Sequence, residues 1–315
     1  MPRPGPLLRL VGSLDRRRGV RAFELSLALL RAGGTSPLAT SRQAASGPRA
    51  YVVGAGERVD LAVPSAGSAP LMPRHLAVIA VPRHDGVLLR GVSLHPEREV
   101  HVAPLPAPRG AVAPSTDVPG VGGVVARGGV SLLFDGLRLD VRAELENPAP
   151  GVDPAANAGI LEIFPVGQQL SFFAGMAVRA VGDVVSSVAG PDGGGHAVPA
   201  LVLSHEEPPP AGGALLLRTR LGVHRVEVTD DELRRGLLIG RSRRCVLGRG
   251  FDENDGLSRV HALVIALDDG VYALDLASRY GLRDVSRPSR LIPASRLDDG
   301  VGCLVYGAGH LTYEP

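Results

Sequence analysis

The sequence of 315 residues contains no lysine and no tryptophan, and each of its 34 basic residues is an arginine. Without lysine, the chain can form neither the phosphate loop of P-loop NTPases nor the strand lysine of protein kinases. A pyridoxal Schiff base, which also needs a lysine amine, is excluded as well. The arginine bias, together with heavy use of alanine, glycine and proline, is typical of a protein encoded by a GC-rich bacterial genome.

Cysteine is scarce, and the charges of the chain are nearly balanced. The two cysteines, Cys245 and Cys303, form no CxxC pair, so we predict two buried free thiols in a reducing compartment. The formal net charge of +2 offers no strong field for nucleic acid or for an anionic membrane. No apolar run approaches the ~20 residues of a membrane span, and the N-terminal residues are too weakly apolar for a signal peptide. We therefore expect a cytoplasmic protein with no nucleic-acid partner and no membrane span.

Glycine and proline are abundant, at 41 and 27 residues, and they divide the chain into short apolar or alternating runs. Runs of this length, bounded by turn residues, are typical of β-strands. We predict an all-β chain in which two β-sandwiches flank a small β-rich middle module. The predicted divisions are an N-terminal segment (1–47), a first sandwich (48–146), the middle module (147–219) and a second sandwich (220–315).

The N-terminal segment is predicted to be partly flexible. It contains one short apolar stretch, Phe23 to Leu30, which suits either a helix turn or a strand. A tail of small and polar residues follows over 32–50, and this composition is typical of a flexible linker.

The two predicted sandwiches are related by an internal repeat. An offset of 186 residues places Val53 over Ile239 and His75 over His261, and it sets AVIAV over LVIAL without a gap. Two extra residues in the first copy then bring Asp85-Gly86 over Asp269-Gly270. Because the matches keep their order and the gaps fall in predicted loops, we infer that the two copies share an ancestor.

Three short motifs follow one another in the second copy. They are LIGRS, which ends at Ser242, LSRVHA over 257–262 and DLASRYG over 275–281. A phosphate group carries negative charge and several acceptor oxygens, so its binding needs fixed donors and positive charge. Arg241 and Arg259 supply permanently charged guanidinium groups, and Ser258 supplies a hydroxyl donor. These residue types suit a phosphate site on loops that a rigid sandwich holds in place.

In order and spacing, the three motifs resemble the forkhead-associated (FHA) domain, a β-sandwich that recognises phosphothreonine peptides. The resemblance covers about residues 220–315, and it implies that Arg241 and Ser258 contact the phosphate and that Arg259 assists. The candidate phosphopeptide-binding residues are Arg241, Ser242, Ser258, Arg259, Arg279 and Tyr280. The residues of the structural motif are Gly240, His261 and Gly281, of which His261 is expected to hold the loop by hydrogen bonds.

One residue of the second copy departs from the family pattern. Tyr280 stands where the family usually has an asparagine whose amide binds the peptide backbone. Tyrosine does not offer the donor and acceptor pair of an amide, so the grip on the peptide backbone is expected to be weaker or to come from Arg279. The sequence leaves open whether Tyr280 abolishes phosphopeptide binding.

The first copy lacks the candidate binding residues. Ala55 stands where the second copy has Arg241, and Met72-Pro73 stand in place of Ser258-Arg259. The first copy retains Gly54, His75 and the apolar strands. We therefore predict that 48–146 is a degenerate FHA-like sandwich that does not bind phosphothreonine.

Catalysis is the least favoured class of function. No G-x-S-x-G elbow surrounds Ser258, and a histidine three residues after it at the start of a strand is poorly placed as its base. No spaced set of metal ligands surrounds His261. We therefore expect no enzyme activity, no cofactor and no metal.

The favoured function is a phosphothreonine-dependent protein-binding adaptor in bacterial Ser/Thr kinase signalling. The expected partner is a phosphothreonine-containing protein, such as a Ser/Thr kinase or its substrate. The alternative is a structural scaffold whose FHA-like domains assemble through contacts that do not depend on phosphate. Ten arginines balance ten acidic residues over 240–315, and this balance argues against a track for nucleic acid.

Overall fold

The structure, a computed structural model, consists mostly of β-strands in the residues that it describes. These residues are 21–63, 73–94, 100–103, 105, 121–147, 159–165, 212–219, 222–242, 245–248, 256–267, 269–305 and 309–315. They fall into two compact units that divide near Ile163. The prediction of an all-β chain is confirmed, because only one short helix occurs in the described part of the chain.

The first unit contains strands β1 to β11. Their bounds are β1 (Ala22–Arg31), β2 (Pro37–Ser46), β3 (Arg49–Gly54), β4 (Leu61–Ala62), β5 (Leu76–Arg83), β6 (Gly86–Ser93), β7 (His101–Ala103), β8 (Val121–Arg127), β9 (Gly129–Phe134), β10 (Leu137–Leu145) and β11 (Gly159–Pro165). One sheet has the strand order β2-β1-β10-β9-β7, and the other has the order β11-β8-β6-β5-β3-β4.

The core of the first unit lies between these two sheets. Strand β1 shows how the sequence builds it, because Phe23, Leu25, Leu27 and Leu29 alternate with more exposed residues and are at most 2% exposed. A strand directs every second side chain to one face, so all four enter the same core. They belong to one apolar cluster with residues of the opposite sheet, such as Tyr51 of β3. The first unit is therefore a β-sandwich.

The second unit contains ten strands and one helix in its described residues. They are β12 (Gly213–Thr219), β13 (Gly222–Val228), α1 (Asp230–Arg235), β14 (Leu237–Ile239), β15 (Ala262–Leu267), β16 (Gly270–Asp275), β17 (Leu282–Arg283), β18 (Leu291–Ile292), β19 (Ala294–Arg296), β20 (Cys303–Val305) and β21 (Gly309–Glu314). The sheets have the orders β13-β12-β21-β20-β17-β18 and β14-β15-β16-β19. Side chains from both sheets, such as Leu217 and Val264, form one core cluster.

Helix α1 occupies the connection between β13 and β14. Thr229 caps its N-terminus: the Thr229 side chain accepts from the Glu232 N–H, and the Glu232 carboxylate accepts from the Thr229 N–H. This reciprocal pair satisfies two backbone donors that a helix end leaves open. Within the described residues, no helix is long and apolar enough to cross a membrane.

The predicted internal repeat is confirmed at the level of backbone pairing. Val53 pairs with Leu76 and Leu61 in the first unit, and Ile239 pairs with Ala262 and Leu247 in the second, all at the offset of 186 residues. Three backbone hydrogen bonds recur at the same offset. In the first unit, the bonds run from the Asp60 N–H to the Val52 carbonyl, from Gly56 to Pro73 and from His75 to Val53. In the second unit, they run from the Val246 N–H to the Leu238 carbonyl, from Ser242 to Arg259 and from His261 to Ile239. All six distances lie between 2.7 and 3.0 Å.

The order of the strands repeats as well. The run β2-β1-β10-β9-β7 in the first unit corresponds to β13-β12-β21-β20-β17 in the second. The run β8-β6-β5-β3 corresponds to β19-β16-β15-β14. Each sandwich therefore begins with a hairpin whose first strand pairs with a strand far along the same unit, which is β10 in the first unit and β21 in the second.

The prediction of a flexible tail over 32–50 is wrong. Residues 37–46 form β2, which pairs along its length with β1. Strand β2 was missed because its sequence, PLATSRQAAS, has no large apolar side chain after Leu38. Three of its four half-buried positions are filled by small residues and the fourth by Gln43, and Ala39 and Ala45 pack against the core of the first unit. Phe23 to Leu30, for which a strand was one of two expectations, lie in β1.

The predicted domain boundaries also differ from the structure. The first sandwich begins with β1, and not at residue 48, because β1 pairs with β10. The second sandwich begins with β12, and not at residue 220, because β12 pairs with β21. Of the predicted middle module, β11 belongs to a sheet of the first unit and β12 to a sheet of the second. Residues 166–211 lie outside the described residues.

Candidate functional site

The first loop of the candidate site begins where β14 ends. Gly240 has φ +154°, and a Cβ at this position would lie 2.5 Å from the Arg259 carbonyl oxygen. Only glycine allows this close approach of two backbones without strain. The Arg241 N–H then donates to the Ser258 carbonyl across 3.2 Å, and the Ser242 N–H donates to the Arg259 carbonyl across 2.9 Å. The loop that carries Arg241 is therefore fixed, backbone to backbone, on the loop that carries Ser258.

His261 connects the second loop to the third. Its side chain is completely buried, and Nδ1 accepts from the Ser258 N–H across 3.2 Å. A neutral ring that accepts at Nδ1 carries its proton on Nε2. Nε2 lies 3.2 Å from the Gly281 carbonyl oxygen and 3.1 Å from Ser278 Oγ. His261 thus holds residues 258 and 278–281 in a fixed relation.

Ser278 and Asp275 support the third loop, and sequence reasoning gave neither of them a role. The Ser278 hydroxyl donates to Asp275 Oδ1 across 2.6 Å and accepts from the Gly281 N–H across 2.9 Å. Gly281 has φ +69°, which is the left-handed region that glycine adopts at little cost. The D-x-x-S-x-x-G spacing after β16 was the available signal for this turn.

Ser258 itself binds the third loop through its side chain. Its Oγ accepts from the Arg279 N–H across 2.9 Å. A hydroxyl that accepts one hydrogen bond still has its own proton to donate. Among the described residues, no acceptor lies within hydrogen-bond geometry of that proton. Within the described residues, the Ser258 O–H is therefore available to an external acceptor.

Each of the three described loops that meet at Ser258 carries an arginine. Arg259 and Arg279 are exposed, and Arg241 is half-buried. The Arg279 guanidinium carbon lies 5.2 Å from the centroid of the Tyr280 ring. A cation over an aromatic face at this distance is stabilised by roughly 0.5–1 kcal/mol at an exposed site. Tyr280 therefore orients Arg279. An asparagine at position 280 could not make this contact, because it has no aromatic ring.

The described part of the site brings together all the candidate residues that the sequence indicated. They lie on three loops, Gly240 to Ser242, Ser258 to His261 and Arg279 to Gly281, which the hydrogen bonds above connect. Three further arginines that cluster near the site in the sequence, Arg243, Arg244 and Arg249, lie outside the described residues. No group of three or more histidine, cysteine or acidic residues that could hold a metal occurs in the described residues.

Both cysteines are buried and free, as predicted. Cys245 lies next to the site, where its Sγ is 3.4 Å from the Arg259 carbonyl oxygen. Burial raises the pKa of the Cys303 thiol to about 12, and the negative charge of Asp275 adds to this effect. Since the thiolate is the reactive form of cysteine, Cys303 is inert in the folded chain at neutral pH.

The corresponding end of the first sandwich has a different set of side chains. Ala55 and Pro73 are exposed there, and Met72 lies outside the described residues. His75 is completely buried like His261, but its ring stacks on Phe134 with a centroid distance of 5.0 Å. Its Nε2 lies 3.7 Å from Asp135 Oδ2. The two histidines therefore share a backbone position and differ in the partners of their rings.

Comparison with known proteins gives little further information. No family model matches the chain, and no curated protein matches it. Among solved structures, the chain is similar to full-length yeast Pml1p, an FHA-domain-containing protein, with 15% identity and a TM-score of 0.26 over 43% of this chain and 90% of that chain. A TM-score this low gives no information about function, so the function is inferred from the residues of the site alone.

Proposed function

We propose that this protein is a phosphothreonine-dependent protein-binding adaptor in Ser/Thr kinase signalling, with Arg241, Ser258 and Arg259 as the residues that bind the phosphate. The observation that carries the proposal is the state of the Ser258 hydroxyl. Its oxygen is fixed by the Arg279 N–H, and its proton is available on a surface with arginines on three adjoining loops. The proposed partner is a phosphothreonine-containing protein, such as a Ser/Thr kinase or its substrate.

The chemistry of a phosphate group matches this arrangement. A phosphothreonine presents about −1.5 to −2 charges and three strong acceptor oxygens at neutral pH. A guanidinium group binds two such oxygens with parallel N–H donors, and a serine hydroxyl binds one. Because the three loops are hydrogen-bonded to one another, little conformational entropy of the backbone is lost when the phosphate binds.

The geometry of His261 favours binding over catalysis. A general base for Ser258 would have to accept the hydroxyl proton. His261 Nδ1 instead accepts from the Ser258 backbone N–H, and Nε2 faces Gly281 and Ser278. Both ring nitrogens are therefore engaged in holding loops, and the proposal assigns Ser258 a binding role.

A phosphate-independent scaffold is the second candidate function. Tyr280 supports it, because this residue stands where the resemblance expects an amide that binds the peptide backbone. The first sandwich supports it as well, because it keeps the same backbone without the candidate phosphate ligands. In this alternative both sandwiches contact partners through surfaces that do not read a phosphate.

Binding of the full chain to a degenerate phosphothreonine peptide library separates the two candidates. We expect the phosphorylated library to bind and the unphosphorylated library not to bind. Arg241→Ala and Ser258→Ala should each weaken binding by about 1.5–3 kcal/mol, the range for a hydrogen bond to a charged group. Arg241→Ala is compatible with the fold, because the first sandwich carries Ala55 at the same register.

Two matched variants control for loss of charge and loss of a hydroxyl elsewhere. Arg234→Ala removes an exposed arginine of α1, and Ser36→Ala removes an exposed serine in the turn between β1 and β2. Neither is expected to change phosphopeptide binding. Equal binding of both libraries, or undiminished binding by both site variants, would reject the phosphothreonine proposal in favour of the scaffold.

A further inference from the structure

An exposed hairpin lies directly beside the candidate phosphate site. It connects β17 to β18, and all six residues from Ser286 to Leu291 are exposed. Leu291 is 60% exposed, which makes it the most exposed of the large apolar side chains in the described residues. Single exposed leucines are common on protein surfaces. Leu291 is of interest because it lies beside the candidate phosphate site.

Leu291 is in contact with the loop that carries Arg279. A Cβ added at Gly281 would lie 2.7 Å from Leu291 Cδ2. The Gly281 carbonyl in turn faces the ring of His261, and the Gly281 N–H donates to Ser278. The apolar surface of Leu291 is therefore continuous with the loop that binds Ser258, and a peptide residue near the phosphothreonine would meet it.

The hairpin is exposed but has a defined conformation. Asp284 Oδ1 accepts from the N–H and the hydroxyl of Ser286, across 2.8 and 2.6 Å. The Arg283 guanidinium donates to the Pro288 carbonyl across 2.9 Å, and the Arg290 N–H donates to the Arg287 carbonyl across 2.8 Å. Leu291 and the arginines around it are thus presented from a fixed backbone, as a selective surface requires.

The segment that runs from Arg279 through this hairpin to Leu291 has a net positive charge, although the second sandwich as a whole is balanced. Residues 279–291 contain four arginines and one acidic residue, Asp284. Two hydrogen bonds within the turn use that carboxylate and lower its pKa. Arg287 and Arg290 are exposed on the same turn. The surface is therefore complementary to an acidic ligand that also carries an aliphatic side chain.

We propose that Leu291, Arg287 and Arg290 select the peptide residues that flank the phosphothreonine, favouring an aliphatic side chain together with aspartate or glutamate. This inference rests on the proposed function, because the hairpin reads residues of a peptide that the phosphate site holds. The partner is then a protein whose phosphothreonine lies in an acidic and aliphatic segment. A segment with flanking lysine or arginine is disfavoured, because like charges would face each other.

The test uses the full chain and the degenerate phosphothreonine library, which is expected to show enrichment of aspartate or glutamate and of leucine, isoleucine or valine. The enriched peptide is then compared with two relatives, one with alanine for the aliphatic residue and one with glutamine for the acidic residue. Leu291→Ala should weaken the binding of the enriched peptide roughly fivefold to tenfold, as expected for loss of a partly buried aliphatic contact. It should leave the alanine peptide unchanged.

The charge contribution is tested in the same way. Arg287→Gln and Arg290→Gln should each weaken the binding of the enriched peptide, which contains the acidic residue, roughly threefold at low salt. The effect should be smaller at high salt, because exposed charges are screened. They should not affect the glutamine peptide. Val223→Ala, at a position on β13 that is 55% exposed, is the control for loss of an exposed aliphatic side chain.

The possible outcomes separate this inference from the function on which it rests. Binding that requires phosphate, Arg241 and Ser258 but shows no flanking preference would overturn the inference and leave the proposed function standing. A preference that Leu291→Ala does not change would overturn it equally. Absence of any phosphate-dependent binding would reject the proposed function, and the inference with it.

Discussion

The two sandwiches of this chain share the register of their strands and differ in the side chains at one end. Strand register and backbone hydrogen bonds repeat at a constant offset from β3 to β5 and from β14 to β15. At the same end, the second sandwich carries Arg241, Ser258 and Arg259, whereas the first carries Ala55 and Pro73. The shared strand register therefore does not depend on Arg241, Ser258 and Arg259, and this is compatible with the binding role proposed for these side chains.

The buried histidines refine this conclusion. In both copies the histidine N–H donates to the preceding strand, and its carbonyl accepts from a leucine N–H across 3.0 Å. The rings differ: that of His75 contacts Phe134 and Asp135, and that of His261 contacts the loops that carry the candidate ligands. The histidine backbone belongs to the shared fold, whereas the ring of His261 belongs to the site.

The largest expected effect concerns a glycine at which the two copies differ. Gly240 has φ +154° and Gly54 is not among the glycines with positive φ, although they occupy the same register. Gly240→Ala would add backbone strain of about 1–2 kcal/mol and an overlap with the Arg259 and Ser258 carbonyls that costs about 1–3 kcal/mol. We expect a loss of about 3 kcal/mol in the free energy of unfolding of the second sandwich.

Thiol labelling measures this loss in the second sandwich alone, because both cysteines of the chain are buried there. The labelling rate of Cys245 and Cys303 in increasing urea should rise at lower denaturant in Gly240→Ala. Gly222→Ala is the matched control: Gly222 has φ +147° with open space around it, so only the strain is added. Equal losses in the two variants would show that the backbone overlap at Gly240 is not important.

The second effect tests the division of roles between the two histidines. His261→Ala removes the partners of the Ser258 N–H and the Gly281 carbonyl and should destabilise the second sandwich by about 2–3 kcal/mol. It should also weaken phosphopeptide binding, since both loops lose their support. His75→Ala should destabilise the first sandwich by a similar amount and leave phosphopeptide binding and thiol labelling unchanged. Loss of phosphopeptide binding in His75→Ala would contradict the assignment of the site to the second sandwich.

Short apolar runs and motif spacing were sufficient to predict the class of fold and the repeat. Strand β15 is apolar along its whole length and β5 over its first six residues, so both could be recognised without knowledge of their partners. Strand β2 could not, because its small and polar residues become a strand only through pairing with β1. The boundary at β12 was missed for a related reason: this strand belongs to its sandwich through pairing with β21, far away in the sequence.

The candidate site was predictable in its residue types and not in its contacts. The three motifs identified Arg241, Ser258 and Arg279, since each motif is local in the sequence. The hydrogen bond from the Arg279 N–H to Ser258 Oγ joins positions 21 residues apart, and it depends on how β15 and β16 pair. The contact of Leu291 with Gly281 likewise depends on the pairing of β17 with β18. The spacing of residues within a single motif predicts neither the hydrogen bond nor the contact.

The smallest expected effect is a difference between the two sandwiches in how their stability falls at alkaline pH. Burial raises the pKa of Tyr51 in the first sandwich to about 12, with Asp60 adding to the shift and Arg49 opposing it. Burial likewise raises the pKa of Cys303 in the second sandwich to about 12. Both groups lose a proton more readily in the unfolded chain. Unfolding therefore releases protons, and stability falls as the pH rises.

The two losses start at different pH values, because an unfolded thiol ionises near pH 9 and an unfolded phenol near pH 10. The contribution of Cys303 is fully present below about pH 9 and declines up to about pH 12, whereas that of Tyr51 declines from about pH 10. Urea unfolding followed by circular dichroism at several pH values should show the second sandwich weakening first. Cys303→Ala should flatten the pH dependence of the second sandwich alone, and Tyr51→Phe that of the first. An unchanged slope in Cys303→Ala would assign the alkaline loss to other groups of the second sandwich, of which Tyr272 and Tyr313 also have raised pKa values.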